Sequence, residues 1–380
     1  MSTDALADVA PTSDRRRRPS GLARAPFLAL GGFALLAGLD AALMLLGLAA
    51  PVTTDRLPEV HGMLMVLGFV GTLVSLERAV ALRHPLGFAA PGLLGLGGVL
   101  LVSPAPVVAG KVGLLLGSVA FAAVYVPLWR RQRDDAVLIQ AFGAVLATGA
   151  AALWLGGLDM ALLVPWLAGF VVLTIAGERL ELARIAMGPT AGTRLLVLCT
   201  GLVAGITASL LWPAVGYPLL GLALLVLVGW LVQHDIARKT IRARGLTRFM
   251  AGCMLGGYLW LAVAAGIWLL GGEVLGGSLY DAVVHAVFLG FTISMIIAHA
   301  PVILPAVLRR PLPYHPAMAA AAVLLHASLA VRLWLGDARG IEAAWQVGGV
   351  LNGIALLGFV AIAAWSSTRR SARRTPGGAR

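Results

Sequence analysis

Charged residues are scarce in this sequence, and their scarcity excludes most soluble proteins. Only 12% of the 380 residues are charged, whereas soluble domains contain about 25%. Hydrophobic residues make up 59% of the chain, and the mean hydropathy is +0.91. We therefore predict an all-α polytopic membrane protein whose main partner is the lipid bilayer.

Cysteine is almost absent as well. The two cysteines, Cys199 and Cys253, lie far apart within apolar runs. A disulfide framework or a CxxC metal site needs more thiols, or thiols that are more closely spaced, so both kinds of site are excluded. A single buried cysteine behaves as a small apolar residue, and we assign neither of them a chemical role.

The excess of positive charge does not indicate a nucleic-acid partner. The formal net charge is +12, but the arginines and lysines form short clusters between apolar runs. Such clusters mark the cytoplasmic connections of membrane proteins. If the amino terminus is inside, six of them fall on inner connections. This pattern predicts a multi-pass protein of a bacterial inner (cytoplasmic) membrane, with both termini in the cytoplasm.

The apolar runs predict twelve membrane-spanning helices, because about 20 helical residues cross a hydrocarbon core of about 30 Å. A disordered basic arm over residues 1–25 and a disordered basic tail over residues 367–380 flank a single membrane domain, residues 26–366. The predicted spans are 26–50, 58–83, 86–104, 106–129, 135–157, 159–186, 193–212, 214–233, 246–271, 280–307, 314–335 and 340–366.

A short pattern recurs on predicted helices 2, 6 and 10, and it indicates a pseudo-three-fold repeat of four-helix units. In each copy a Gly-Phe pair precedes an ionisable residue by the same number of positions. The alternative is coincidence, since glycine and phenylalanine are common in membrane helices. The three copies are Gly68-Phe69 with Glu77-Arg78, Gly169-Phe170 with Glu178-Arg179, and Gly290-Phe291 with His299.

Two histidines within the spans are predicted to form a pair. His61 precedes Gly68 by seven residues and His285 precedes Gly290 by five, so their depths differ by about 3 Å. Each alone is typical of a hydrogen-bonded packing residue. Two imidazoles at one depth inside a dry bundle are a common way to hold a six-coordinate haem iron. The sequence contains no CxxCH motif, so we expect a noncovalent haem b.

These residues also carry a resemblance to known families. The segment His61-Gly62-Met63-Leu64-Met65 resembles the HGxxM motif on helix 2 of heme-copper oxidase subunit I. The histidine of that motif binds the low-spin haem, and His285 is similar in placement to its second ligand. The segment 285–300 further resembles a helix of the NnrS family, described as haem and copper membrane proteins linked to nitric oxide and denitrification.

The resemblance implies a twelve-helix architecture, but this sequence departs from it in ways that bear on catalysis. Val283 stands where the oxidases have the first histidine of a His-x-His motif, and helices 6 and 7 contain no histidine. The usual binuclear centre is therefore missing, so reduction of oxygen or nitric oxide is unsupported and we assign no enzymatic reaction. Arg332 and Arg339 resemble the arginines that pair with haem propionates, although either is equally typical of a loop charge.

Three equivalent positions near the inner face, Glu77, Glu178 and His299, are a second candidate site. If their helices converge, they could bind a second metal ion, relay protons or contact a quinol headgroup. The alternative, which we favour, is that each glutamate pairs with an arginine at the water interface. His326, at mid-depth on helix 11, is a further candidate metal ligand.

Two classes of function follow from these observations. The preferred one is an integral membrane haem protein of oxidase-like fold, in electron transfer or in a response to nitric oxide, with a quinol or a redox protein as its partner. The alternative is a secondary transporter without haem. Transporters usually repeat in halves of six helices or in inverted units, which helices four apart in one orientation do not match.

Overall fold

The computed structural model describes residues 21–372, and every regular element within that range is helical. Twelve helices are long and apolar enough to cross a membrane, as predicted, and we number them α1 to α12. Their bounds are Ala25–Leu45, Arg56–Leu82, Pro85–Val102, Val107–Gln132, Asp135–Leu155, Met160–Arg184, Ala191–Leu211, Pro213–His234, Gly245–Gly271, Gly277–Leu308, Ala317–Asp337 and Glu342–Thr368.

The two terminal segments predicted to be disordered are helical in the part of each that the structure describes. Residues Gly21–Arg24 form a helical turn that leads into α1, and the last helix continues to Ala372 instead of ending at residue 366. An apolar helix can extend beyond the hydrocarbon, since its backbone hydrogen bonds do not depend on the bilayer. Residues 1–20 and 373–380 lie outside the described residues.

The helices pack in three successive groups of four, which supports the repeat inferred from the sequence. In each group the first helix packs against the second and third, the second against the third, and the third against the fourth. We call α1–α4, α5–α8 and α9–α12 the first, second and third units. The repeat glycine of each unit lies against the first helix of that unit, where side chains of Ala34, Leu146 and Trp260 approach it.

The two histidine-bearing helices share a local distortion that α6 lacks. Residues Leu64–Gly71 of α2 and Ala286–Ile293 of α10 are π-helical. Each segment begins four residues before its repeat glycine and ends three after it. A π segment widens the helix by using i→i+5 hydrogen bonds, and such segments occur frequently at functional sites. The backbone therefore distinguishes the first and third units from the second.

The helices also define two ends of the bundle. The end at which α1 begins carries the arginine-rich connections, and we call it the basic end. Glu77, Glu178 and His299 lie towards the basic end, because α2, α6 and α10 all run towards it. His61 and His285 lie towards the opposite end. The two candidate sites are thus separated along the length of the same helices.

Candidate functional site

The histidine pair lies between α1, α2 and α10. Nδ1 of His61 is 3.0 Å from the carbonyl oxygen of Gly38, and Nδ1 of His285 is 2.9 Å from the carbonyl oxygen of Asp281. The two imidazoles are near enough to interact electrostatically. Among the described residues, Nε2 of neither ring has a hydrogen-bond partner. Both rings are therefore fixed through one nitrogen, and the other nitrogen is available as a ligand.

An acidic residue that the sequence analysis did not name connects the pair to Arg332. The carboxylate of Asp281 accepts two hydrogen bonds from the guanidinium of Arg332, at 2.9 and 2.7 Å. One of its oxygens also lies 3.2 Å from Nδ1 of His285, and the indole of Trp345 donates to the other at 3.3 Å. A carboxylate behind an imidazole fixes its tautomer and orientation, as in the second shell of many metal sites.

The two arginines predicted for this end differ in their surroundings. Arg332 is buried between α11 and α12, and its guanidinium lies 5.1 Å from the ring centre of Trp345. Asp337 lies near the same cluster, and its buried Oδ2 has no hydrogen-bond partner in the described chain. Arg339 is exposed in the turn after α11. A propionate role stays a prediction for both arginines, and the geometry places only Arg332 within the cluster.

A close approach of α12 to α11 positions Arg332, and it gives a testable prediction. A Cβ on Gly348 would lie 2.7 to 2.9 Å from Cβ, N and Cα of Arg332. We expect Gly348→Ala to destabilise the protein by about 1–3 kcal/mol, because overpacking forces the backbones apart. Gly358→Ala, on the same helix with open space around it, is the control. Thermal unfolding in detergent measures both, and equal midpoints would contradict the packing argument.

The three repeat helices converge on a single cavity of about 380 Å³. Each contributes side chains at two, five, six and nine positions after its glycine, which is one face of a helix. Side chains from α1 and α12 complete the wall. The equivalent lining residues are Val70, Val171 and Thr292; Leu73, Thr174 and Met295; Val74, Ile175 and Ile296; and Glu77, Glu178 and His299.

Arg78 lies at the centre of the carboxylates at the basic end of this cavity. Its guanidinium is 2.6 Å from Glu77, 3.2 Å from Glu181 and 3.9 Å from Glu178. Gln140 on α5 accepts a hydrogen bond from Arg78 and donates one to Glu181. The pairing of glutamates with arginine that the sequence favoured is therefore present. It is buried, however, because the side chain of Arg78 is only 9% exposed.

His299 belongs to a separate network around Arg179. Its Nε2 lies 3.2 Å from the guanidinium of Arg179, and its Nδ1 bonds to the carbonyl oxygen of Met295. Arg179 forms a two-point ion pair with the fully buried carboxylate of Asp235, which also accepts from the hydroxyl of Tyr258. Both nitrogens of His299 are therefore occupied by protein groups.

His326, a candidate metal ligand, also has both ring nitrogens in contact with protein groups. His326 accepts a hydrogen bond from the indole of Trp260 at 2.9 Å, and its other ring nitrogen lies 3.1 Å from the hydroxyl of Ser294. It keeps no free ring nitrogen for a metal. Over residues 21–372, no group of three or more His, Cys, Asp or Glu side chains is arranged to hold a metal ion. The second metal ion stays a prediction from the sequence.

Comparison with known proteins adds a family but no activity. Residues 24–368 match a family described as Domain of unknown function (DUF8744). A search of curated proteins found no match.

Proposed function

The chain belongs to the DUF8744 family, and we propose that it is a membrane haem protein that carries electrons. His61 and His285 would hold the iron. One observation supports this above all: two imidazoles on neighbouring membrane helices are each fixed through Nδ1, and each keeps Nε2 free. Histidines that ligate metals in proteins show this arrangement.

The surroundings of the pair fit a haem in their donor chemistry. Imidazole suits iron, and a neutral imidazole needs one nitrogen protonated and one open. The carbonyl oxygen of Gly38 and the backbone and carboxylate oxygens of Asp281 accept the Nδ1 protons. Arg332 supplies a cation at the same end of the bundle, which suits the carboxylates of a haem. A bound haem would supply reversible one-electron transfer.

The residues of the chain have three tasks in this proposal. His61 and His285 would bind the iron, Asp281 holds the ring of His285 at a set angle, and Arg332 holds Asp281 in place. The side chains of His285 and Asp281 are only 18% and 20% exposed, so the surrounding helices cover most of their surface. The missing histidines of the usual binuclear centre argue against catalytic reduction of oxygen or nitric oxide. We therefore propose an electron-transfer role, with a response to nitric oxide as one physiological setting.

The absorption spectrum of the purified protein tests this proposal. We expect one haem b per chain with the spectrum of two imidazole ligands. His61→Ala and His285→Ala should each lower the haem content at least about tenfold or change the spectrum, because each removes an imidazole that would hold the iron.

The matched control is His234→Ala, since His234 lies at the basic end of α8 and stacks on Trp230. It should leave the spectrum unchanged. If His61→Ala and His285→Ala both keep the spectrum of the unmodified protein, the haem assignment is wrong. A protein that binds no haem when supplied with it would be equally decisive, and would favour the transporter alternative.

A further inference from the structure

We propose that the cavity between α2, α6 and α10 is a binding site for a quinol, a lipid-soluble ring that carries hydroxyl groups. The proposal extends the electron-transfer function, because an electron carrier in the membrane needs a donor. It nevertheless stands on observations at the basic end of the bundle, away from the histidine pair.

The size and walls of the cavity favour an apolar molecule. Its volume of about 380 Å³ lies within the range of small-molecule sites, about 300–1,000 Å³. From Val70, Val171 and Thr292 towards the basic end, most lining side chains are aliphatic. Thr174, which also lines the cavity, has a buried hydroxyl without a hydrogen-bond partner in the described chain. That hydroxyl lies beside Gly143 of α5, so the wall itself is mainly apolar.

The cavity reaches the lipid-facing surface of the bundle. Val360 and Ala364 of α12 line it, and both are exposed. They belong to a membrane-spanning helix, so a ligand would enter from the bilayer instead of from water. A lipid-soluble molecule is therefore favoured over a water-soluble metabolite.

The polar end of the cavity indicates a neutral headgroup that donates hydrogen bonds. Glu77 and Glu178 line that end and offer acceptor oxygens. Arg78 lies 2.6 and 3.9 Å from them and balances part of their charge, and a second arginine, Arg310, also lines the cavity. A lipid phosphate would be repelled by the carboxylates, and an organic cation would meet the two arginines. The hydroxyls of a quinol suit this balance.

Equilibrium binding of a short-chain benzoquinol to the purified full-length protein tests the proposal. We expect saturable binding of one molecule per chain. Ile296→Phe, which fills the cavity, should weaken binding at least about tenfold through overpacking. Ile354→Phe is the matched control, because Ile354 is 52% exposed on α12 and does not line the cavity.

A second pair of variants tests the polar end without changing the cavity volume. Glu178→Gln should weaken quinol binding about tenfold, since a hydrogen bond to a charged acceptor is lost. Glu181→Gln should have no effect on binding, because Glu181 also contacts Arg78 but does not line the cavity. Equal weakening by both would show that the Arg78 network, and not a ligand contact, controls affinity, and would overturn this placement.

The outcomes separate this proposal from the haem assignment. Absent or non-saturable quinol binding overturns the quinol site, and so does unchanged affinity in Ile296→Phe. Saturable binding of tetraphenylphosphonium in place of the quinol would overturn it in favour of an organic cation. Haem spectra recorded on the same samples report on His61 and His285 alone. A failure of quinol binding with an intact haem spectrum therefore rejects only the cavity ligand.

Discussion

Replacing Arg78 by methionine is expected to cost the protein about 2–4 kcal/mol of stability, because it leaves two half-buried carboxylates without their buried cation. Glu77, Glu178 and Glu181 all face this one guanidinium. Like charges so close together repel strongly in a medium of low dielectric constant. Unfolding of the purified protein, followed by heat or denaturant in detergent, measures the loss.

Two further variants make the Arg78 prediction specific. Arg184→Met removes an arginine that pairs with Asp134 but is 56% exposed, so it should cost at most about 1 kcal/mol. Adding Glu77→Gln and Glu178→Gln to the Arg78 variant should restore much of the lost stability, because fewer uncompensated charges remain. Equal losses for Arg78→Met and Arg184→Met would contradict the central place given to Arg78.

Replacing Asp281 by alanine is expected to remove both stability and haem. Arg332 is 6% exposed and would lose its two-point partner, at a cost of about 3–5 kcal/mol. His285 would lose the carboxylate near its Nδ1, and loss of such a contact lowers metal affinity about 10–100-fold. Asp55→Ala, an exposed aspartate at the same end of the bundle, should change neither property.

A double variant separates the structural role of Asp281 from its effect on the histidine. Asp281→Leu combined with Arg332→Leu removes both members of the ion pair, so much of the stability lost in Asp281→Ala should recover. Haem binding should remain weak, because Nδ1 of His285 then keeps the backbone carbonyl oxygen of residue 281 but loses the carboxylate. If haem binding recovers together with stability, Asp281 only supports the fold and does not position the ligand.

Hydropathy and charge predicted the membrane architecture well, because both act on residues close together in the chain. The twelve helices and their approximate bounds follow from the length of apolar runs. The four-helix repeat was readable from the spacing of Gly68, Gly169 and Gly290. Because these glycines occupy equivalent positions on α2, α6 and α10, the repeat also predicts that the three helices converge.

The partners of the charged residues could not be predicted in the same way. Gln140 contacts Arg78 from 62 residues away in the chain, and Asp235 contacts Arg179 from 56 residues away. A local sequence pattern does not indicate such contacts. His326 was predicted as a metal candidate because its partners, Trp260 and Ser294, lie on other helices.

One missed residue did leave a signal in the sequence. Asp281 stands four positions before His285, a spacing that places both on one side of a helix. This spacing alone does not identify Asp281 as a site residue, because a charged residue at the start of a membrane helix is common. The π segments leave no comparable signal, since Leu64–Gly71 and Ala286–Ile293 are mostly apolar, as α-helical membrane spans also are.

Polar contacts near the basic end join successive units of the bundle. Glu178 of the second unit reaches Arg78 of the first, and His299 of the third reaches Arg179 of the second. The equivalent contact between the third and first units would need an arginine at position 300, directly after His299. The sequence has Ala300 there, so this series of contacts does not continue from the third unit to the first. At the basic end, Arg24 bridges that gap by donating to the carbonyl oxygens of Ala306 and Val307 on α10. One ion pair and one arginine–histidine hydrogen bond thus join successive units, and the part of the cavity wall formed by α1 and α12 lies where the third unit meets the first.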